Sequence, residues 1–399
     1  MTTAHTAAEN LGAEYFQDPD SVHARLRAQR PVSAVIMPGG TPVWLVLGYA
    51  EARAALADPR LHKTAPGWPP QDSIFAALER HMLNSDPPDH ERLRRLVNKA
   101  FTPRRVELLR PRIAAITASL LDDMAGQRDV DLLASFAFPL PITVICELLG
   151  IPVADRDDFR AWSSTMISDT AAVAAYEAAA TAMVRYFLAL LAAKRHEPAD
   201  DLLSALILAQ DDGDRLSENE LVSMAFLLLV AGHETTVNLI GSGMLALLLN
   251  PAELGRLRAD PGLLPGAVEE LLRYVSPVNN ATYRIAAEPV EFGGARVSRG
   301  EIVLVSLSSA DRDPSRYADP GRLDIGRDSS GHLAFGHGIH YCLGAPLARL
   351  EAEIAFRGLL ARFGAMQLAV PADSLRWRPS TLIHGLETLP VRLFREPGR

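Results

Sequence analysis

Apolar side chains recur at helical spacing along most of this chain. Blocks at 104–125, 132–149, 155–167, 171–195, 200–210 and 217–250 predict long helices. Tyr49 to Ala57 and residues 265–275 predict shorter ones. Asp89 is the expected cap of a basic helix through Ala100, and a further helix is expected from Cys342 to Phe363. The period shortens in three places. Val32–Met37 and Val43–Leu47 flank Pro38-Gly39-Gly40 and read as strands. Thr282–Ala286, Val290–Phe292 and Ile302–Leu307 read likewise, joined by Gly293-Gly294 and Arg299-Gly300. The tail from 366 reads as short strands. Residues 59–88 are proline-rich and irregular, and 308–334 read as loop, with Asp-Pro steps at 313–314 and 319–320. The expected class is mainly α with a small β-rich region: an α-rich body at about 89–275 and 342–364, and β-rich parts at about 31–48, 281–307 and 366–395.

Length changes this picture little. The 399 residues would allow two or three domains, yet no Gly/Ser tract, charge block or repeat divides them, so one domain over 1–399 is expected. A net charge of −8 argues against nucleic-acid binding. Cys146 and Cys342 lie far apart in unlike contexts, which fits a reducing cytoplasm better than a disulfide framework. Met1 to Asn10 lacks the layout of a signal peptide. Leu132–Ile151 is broken by prolines and Glu147, and Ala225–Leu249 by His233 and Glu234, so no membrane insertion is expected.

Four segments carry candidate chemistry. In Phe335-Gly336-His337-Gly338-Ile339-His340-Tyr341-Cys342-Leu343-Gly344, a cysteine stands on a glycine-rich loop at the mouth of a helix. A helix N-terminus stabilises a thiolate, and a single soft ligand on a shaped loop points to haem iron. A buried packing cysteine is one alternative. A zinc site from His332, His337, His340 and Cys342 is another, although the spacing lacks paired ligands. Second, Ala231-Gly232-His233-Glu234-Thr235-Thr236 interrupts the longest apolar run. An acid beside a hydroxyl in a buried helix breaks local rules and forms a proton-delivery pair, while the small Ala231 and Gly232 would admit a bulky ligand. A kink with Glu234 facing solvent is the alternative. Third, Glu270 and Arg273 share a helix face, with Arg322 downstream as a possible third member of a buried network. Fourth, His90 and Arg94 share a face and can both donate to an anion, or simply line a solvated surface.

Taken together, the order and spacing of these segments resemble the cytochrome P-450 superfamily of haem-thiolate monooxygenases, from about Tyr15 to Phe394. Phe335 to Gly344 matches the signature Phe-Gly-x-Gly-x-x-x-Cys-x-Gly without departure. Ala231 to Thr235 is similar to the oxygen-activation motif, and Glu270 with Arg273 to the Glu-x-x-Arg motif. The resemblance implies a triangular helical prism enclosing haem b. It implies Cys342 as the iron ligand, with His90, Arg94, Arg284 and His340 on the haem propionates and Phe335 beside the sulfur. Glu234 and Thr235 would relay protons to dioxygen, and Glu270, Arg273 and Arg322 would be structural. Bacterial relatives without a membrane anchor, most like actinobacterial macrolide, polyketide or steroid hydroxylases, imply a hydrophobic small-molecule substrate that is hydroxylated or epoxidised. Electrons would come from a ferredoxin and its NAD(P)H-dependent reductase, since no flavin or nicotinamide fingerprint is present. Arg92, Arg95, Lys99, Arg104, Arg105 and Arg349 would offer the partner a basic face. Substrate contacts are expected from the loop 66–85 including Asn84, from Leu228, from Val278, Asn279 and Asn280, and from Leu382, Ile383 and His384. A monomer is expected. A hydrogen-peroxide-driven peroxygenase and a non-catalytic haem sensor are the rival functions.

Overall fold

A computed structural model describes residues 8–64, 74–209 and 214–394. Its axis is the helix Glu218–Leu249, which packs against Pro139–Leu149, Val173–His196, Leu264–Val275 and Ala345–Arg362. This helix is apolar on nearly every side, as a core helix must be. A capping box starts it: Ser217 Oγ accepts the Glu220 N–H, and the Glu220 carboxylate accepts the Ser217 N–H at 2.8 Å.

The expected helices form, with proline deciding where several break. The block at 104–125 becomes Pro103–Leu108 and Arg110–Met124, because Pro111 has no N–H to continue the first helix. The block at 132–149 becomes a π-helical turn, Leu133–Ala137, followed by Pro139–Leu149. Asp89 is the first helical residue of Asp89–Ala100 rather than its cap; Pro88 precedes it and no side chain caps the end. Helices Pro19–Gln29, Pro251–Ala259 and Leu307–Asp311 were not foreseen, the last inside a stretch read as strand end and loop. The irregular 59–88 segment contains Leu61–His62 as a strand, then Ile74–Glu79 and Met82–Asn84 as helical turns. Two helices, Val173–His196 and Glu218–Leu249, are long and apolar enough to cross a membrane by length and composition. The second is mostly buried inside the protein.

The β-rich region is a six-stranded sheet in the order Glu9–Asn10, Val32–Ile36, Pro42–Val46, Ile302–Val305, Arg284–Ala286, Leu61–His62. Alternation along it feeds two cores: Val46, Val303 and Val305 face one, Leu45 and Leu304 the other. Ala365–Leu368, Pro390–Phe394 and Asp129–Asp131 form a second sheet. Val290–Phe292 and Ala295–Val297 form a hairpin whose turn places Gly293 and Gly294 at φ 55° and 75°, where a side chain would be strained.

Glu270 and Arg273 lie on Leu264–Val275 and are fully buried. The pair is bidentate, with Nε and Nη2 of Arg273 each 2.8 Å from a Glu270 oxygen. Arg273 Nη1 also donates to the carbonyls of Asp311 and Pro320, both at 2.9 Å. The third member is Arg327, whose Nε donates to Glu270 at 3.2 Å, and not Arg322. Asp319, at φ 45°, turns the chain so that the Arg322 guanidinium points outward to Asp324, leaving only its carbonyl on the network. Burial opposes ionisation of Glu270, but Arg273, Ser329 and the Asp324 N–H outweigh it and hold the carboxyl below its ordinary value. This junction ties the loop 311–329 to the central helices just before the Cys342 segment.

Arg273→Ala would leave Glu270 buried without its main partner, at a cost of about 3–5 kcal/mol. Arg322→Ala should leave stability unchanged. Urea denaturation followed by circular dichroism separates the two, and equal losses would contradict this division of roles.

Candidate functional site

Cys342 lies between the short turn Gly338–His340 and the helix Ala345–Arg362. Gly336 and Gly338 take φ values of 73° and 77°, and a Cβ on Gly338 would stand 3.0 Å from the Leu56 carbonyl, so the loop requires glycine there. The Cys342 N–H donates to the Phe335 carbonyl at 3.0 Å. Burial pushes the thiol up, against the opposing pull of the Gly344 and Ala345 N–H groups and of Arg94 and Arg349. The helix end alone therefore does not make a thiolate; a bound metal must displace the proton. The zinc alternative is not assembled. Among the described residues no three His, Cys, Asp or Glu side chains group as metal ligands. His332 is engaged with Glu269 and the Ala334 N–H, while His340 lies 4.4 Å from His90 between ring centroids.

On the other side of the loop, nitrogen donors converge. His90, buried on Asp89–Ala100, has both ring nitrogens without a partner. The Nε of Arg284, on an interior strand, is likewise unpartnered and buried. Arg94 donates to the Tyr341 carbonyl at 2.8 Å. Lys63, which no motif singled out, joins them; its Nζ donates to the Thr282 carbonyl at 3.1 Å. Burial, then Lys63, His90, Arg284 and Arg94, push His340 down to about 3. Burial also lowers Arg284 to about 10. Orphaned buried nitrogens beside basic groups whose charge burial opposes fit the two carboxylates of a haem propionate pair, so the residues present suit haem.

The central helix exposes one stripe within its buried length: Leu228 and Thr235 are partly accessible and Ala231 is exposed. Thr235 Oγ1 donates to the Ala231 carbonyl at 2.9 Å. Gly232 does not serve this stripe. A Cβ there would meet Ile145 at 2.9 Å, so the glycine permits close packing with Pro139–Leu149 rather than ligand approach. Glu234 faces neither solvent nor Thr235. It is buried, accepting from Ser163 Oγ at 2.9 Å and Arg378 Nη2 at 3.0 Å, with His233 Nε2 at 3.4 Å. Burial works to raise Glu234, but His233 and Arg378 prevail and bring it to about 2. Ser163 and Arg378 lie 71 and 144 residues away in sequence, so nothing local announced them.

The expected substrate contacts divide. Backbone pairing of Val278 with Ile383, and the Asn279 N–H on the Leu382 carbonyl at 2.8 Å, set these two segments side by side. Val278 and Leu382 keep accessible surface; Ile383 is buried. Asn279 and Asn280 are buried and turned inward: both donate to the Tyr15 hydroxyl, and Asn280 also to the Thr381 carbonyl at 2.6 Å. They brace this loop instead of meeting a ligand. Asn84 donates to the Glu79 carboxylate, and His384 stacks on Trp377 at 3.9 Å. The part of the expected contact loop at 66–73 lies outside the described residues.

Glu234 is a depressed carboxylate. Its stabilising share is present above the ordinary value of 4.5 and is lost as pH falls through about 2. Arg378→Gln leaves only His233 and Ser163 opposing burial and so raises that value. The variant should lose roughly 1.5–3 kcal/mol at pH 7, and the deficit should narrow as pH falls, since its Glu234 takes up a proton sooner. Urea denaturation across pH reads this; a constant deficit would mean that Arg378 acts by packing alone.

Comparison with known proteins agrees with this geometry. A family model described as Cytochrome P450 matches residues 157–377. Cytochrome P450 107B1 of Saccharopolyspora erythraea is 53% identical over 95% of this chain and 96% of its own length. The 6-deoxyerythronolide B hydroxylase of the same organism is 47% identical over 97% and 99%. The solved structure of the tirandamycin C-bound P450 monooxygenase TamI superposes with a TM-score of 0.91 at 51% identity, covering 96% of this chain and 100% of that one. With haem-fitting donors around a cysteine loop, and relatives of this likeness along nearly its whole length, the chain belongs to the cytochrome P450 family of haem b monooxygenases.

Proposed function

We propose that this enzyme hydroxylates or epoxidises a hydrophobic secondary metabolite of macrolide or polyketide type, or a steroid-like molecule, using dioxygen. The observation that carries the reading is the accessible stripe Leu228, Ala231 and Thr235 on an otherwise buried helix, with Glu234 one residue away in a charged network. Val278 and Leu382 add apolar accessible surface, the usual lining of a small-molecule site. The relative that hydroxylates 6-deoxyerythronolide B and the tirandamycin C-bound structure support the substrate class.

When bound through Cys342, haem supplies oxygen activation, with thiolate donation favouring O–O cleavage. His90, Arg94, Arg284, His340 and Lys63 hold its carboxylates; Phe335 limits water near the sulfur. Thr235 offers a hydroxyl proton on the accessible stripe once it releases the Ala231 carbonyl. Glu234 is the ionised reservoir behind it. It passes a proton only after loosening from Arg378 or Ser163, because a carboxylate held at about 2 carries none at neutral pH.

Electrons arrive singly from a ferredoxin and its NAD(P)H-dependent reductase, and the enzyme works as a cytoplasmic monomer. Its partner face is the basic surface around Asp89–Ala100 and Pro103–Leu108. Arg92 is paired with Asp214 and Glu220, and Arg349 with Glu269. Arg95, Lys99, Arg104 and Arg105 are exposed. They flank an apolar hollow of about 250 Å³ between Phe101, Val106, Leu343 and Pro346, directly beside the Cys342 loop.

Thr235→Ala should lower product formed per electron consumed several-fold while electron consumption continues. Equal coupling in variant and wild type would favour the peroxygenase, which takes its protons and oxygen from hydrogen peroxide. Binding is read by titrating macrolides and steroids against the ferric haem spectrum; no response to any of them, with no turnover, would favour a sensor. Charge reversal at Lys99, Arg104 and Arg105 should slow reduction by ferredoxin at least tenfold at low salt and flatten its salt dependence. Unchanged rates would remove this surface from the reading.

A further inference from the structure

Phe335 carries a cation on its outer face. The guanidinium carbon of Arg349 stands 4.6 Å from the ring centroid. Arg349 comes from the helix Ala345–Arg362, two turns beyond Cys342, and is gripped by Glu269 from Leu264–Val275. The grip is bidentate: Nε to Oε1 at 2.6 Å and Nη2 to Oε2 at 2.8 Å. His332 completes it. Its Nδ1 accepts the Ala334 N–H at 3.2 Å, so its Nε2 is the nitrogen that donates to Glu269 at 3.1 Å. These groups line a cleft of about 210 Å³ with Arg53, His337 and Tyr341, where Arg349 and Glu269 keep about a third of their side-chain surface.

We propose that Arg349 is a positioning residue that sets the reduction potential of the Cys342-bound iron, with Glu269 as its electrostatic counterweight. Arg349 presents its positive end to the cysteine loop through Phe335, whose carbonyl holds the Cys342 N–H. A positive charge near the thiolate favours the one-electron reduction of ferric to ferrous iron, because that step adds a negative charge to the site. Glu269 offsets much of this field and holds the guanidinium over the ring. Burial works to raise Glu269, but Arg349 and His332 outweigh it and bring it to about 2, so the carboxylate is charged at neutral pH. The pair is not the docking charge that the sequence suggests, since its cation is already matched.

The opposing signs make the test. The purified haem-loaded protein is titrated spectroelectrochemically, the electrode supplying the electron, at fixed pH and salt. Arg349→Gln should make ferric iron harder to reduce, and Glu269→Gln should make it easier, each by on the order of tenfold in the equilibrium constant, which is about 59 mV for one electron. The double variant, again neutral, should return towards wild type. Arg349→Lys keeps the charge and should stay closer to wild type than Arg349→Gln. Shifts of the same sign in both single variants, or no shift in either, would overturn the proposal. If Arg349→Gln fails to retain haem, the sign for Glu269→Gln decides alone. The thiolate signature of the reduced carbon monoxide complex should persist in every variant; its loss would mean that the pair only holds the loop. The result does not depend on whether dioxygen or peroxide is the oxidant.

Discussion

Buried nitrogen donors without protein acceptors are the constraint on which this fold depends. His90 and Arg284 are buried with unpartnered nitrogens, and the half-buried Arg94, His340 and Lys63 stand close by. Burial and crowding oppose the charged forms of these groups unless an outside anion enters. The cysteine loop poses the complementary problem: burial favours the neutral thiol, whereas a metal ligand must be a thiolate. An iron porphyrin with two carboxylates answers both demands. Folding and cofactor binding are therefore linked, since what binds the native state alone stabilises it.

Around that centre the protein compensates its charges in different ways. The Glu270–Arg273–Arg327 junction is sealed and bidentate, and it fixes the loop that leads to Cys342. The Glu269–Arg349 pair is half-open and lies against Phe335. The Glu234 network joins its helix neighbour His233 to Ser163 and Arg378 from two distant segments. It holds a carboxylate ionised in the interior, close to a hydroxyl whose proton is parked on a backbone carbonyl.

Residues within one turn of each other were readable from the chain. The cysteine loop, the Glu270–Arg273 pair and the His90–Arg94 face all depend on spacings of a few residues, and the structure keeps each of them. The long apolar blocks formed helices because their periodicity leaves one face to bury. Errors gathered where two residues near in sequence face different ways. Gly232 faces Ile145 while its neighbour Ala231 faces the accessible stripe. Asn279 and Asn280 look like ligand contacts but turn to Tyr15. Arg322 lies in the right loop with its side chain on the wrong side, and Arg327 takes its role.

The sequence by itself determined the helical class, the glycine-rich cysteine loop and the Glu270–Arg273 pair, because each is written in local spacing and residue type. Tertiary structure decided which charges compensate one another. Lys63, Arg378, Arg327 and the pairing of Glu269 with Arg349 come from segments tens to hundreds of residues apart. A charge's partner depends on which surfaces packing brings within a few ångströms, and no local pattern encodes that distance.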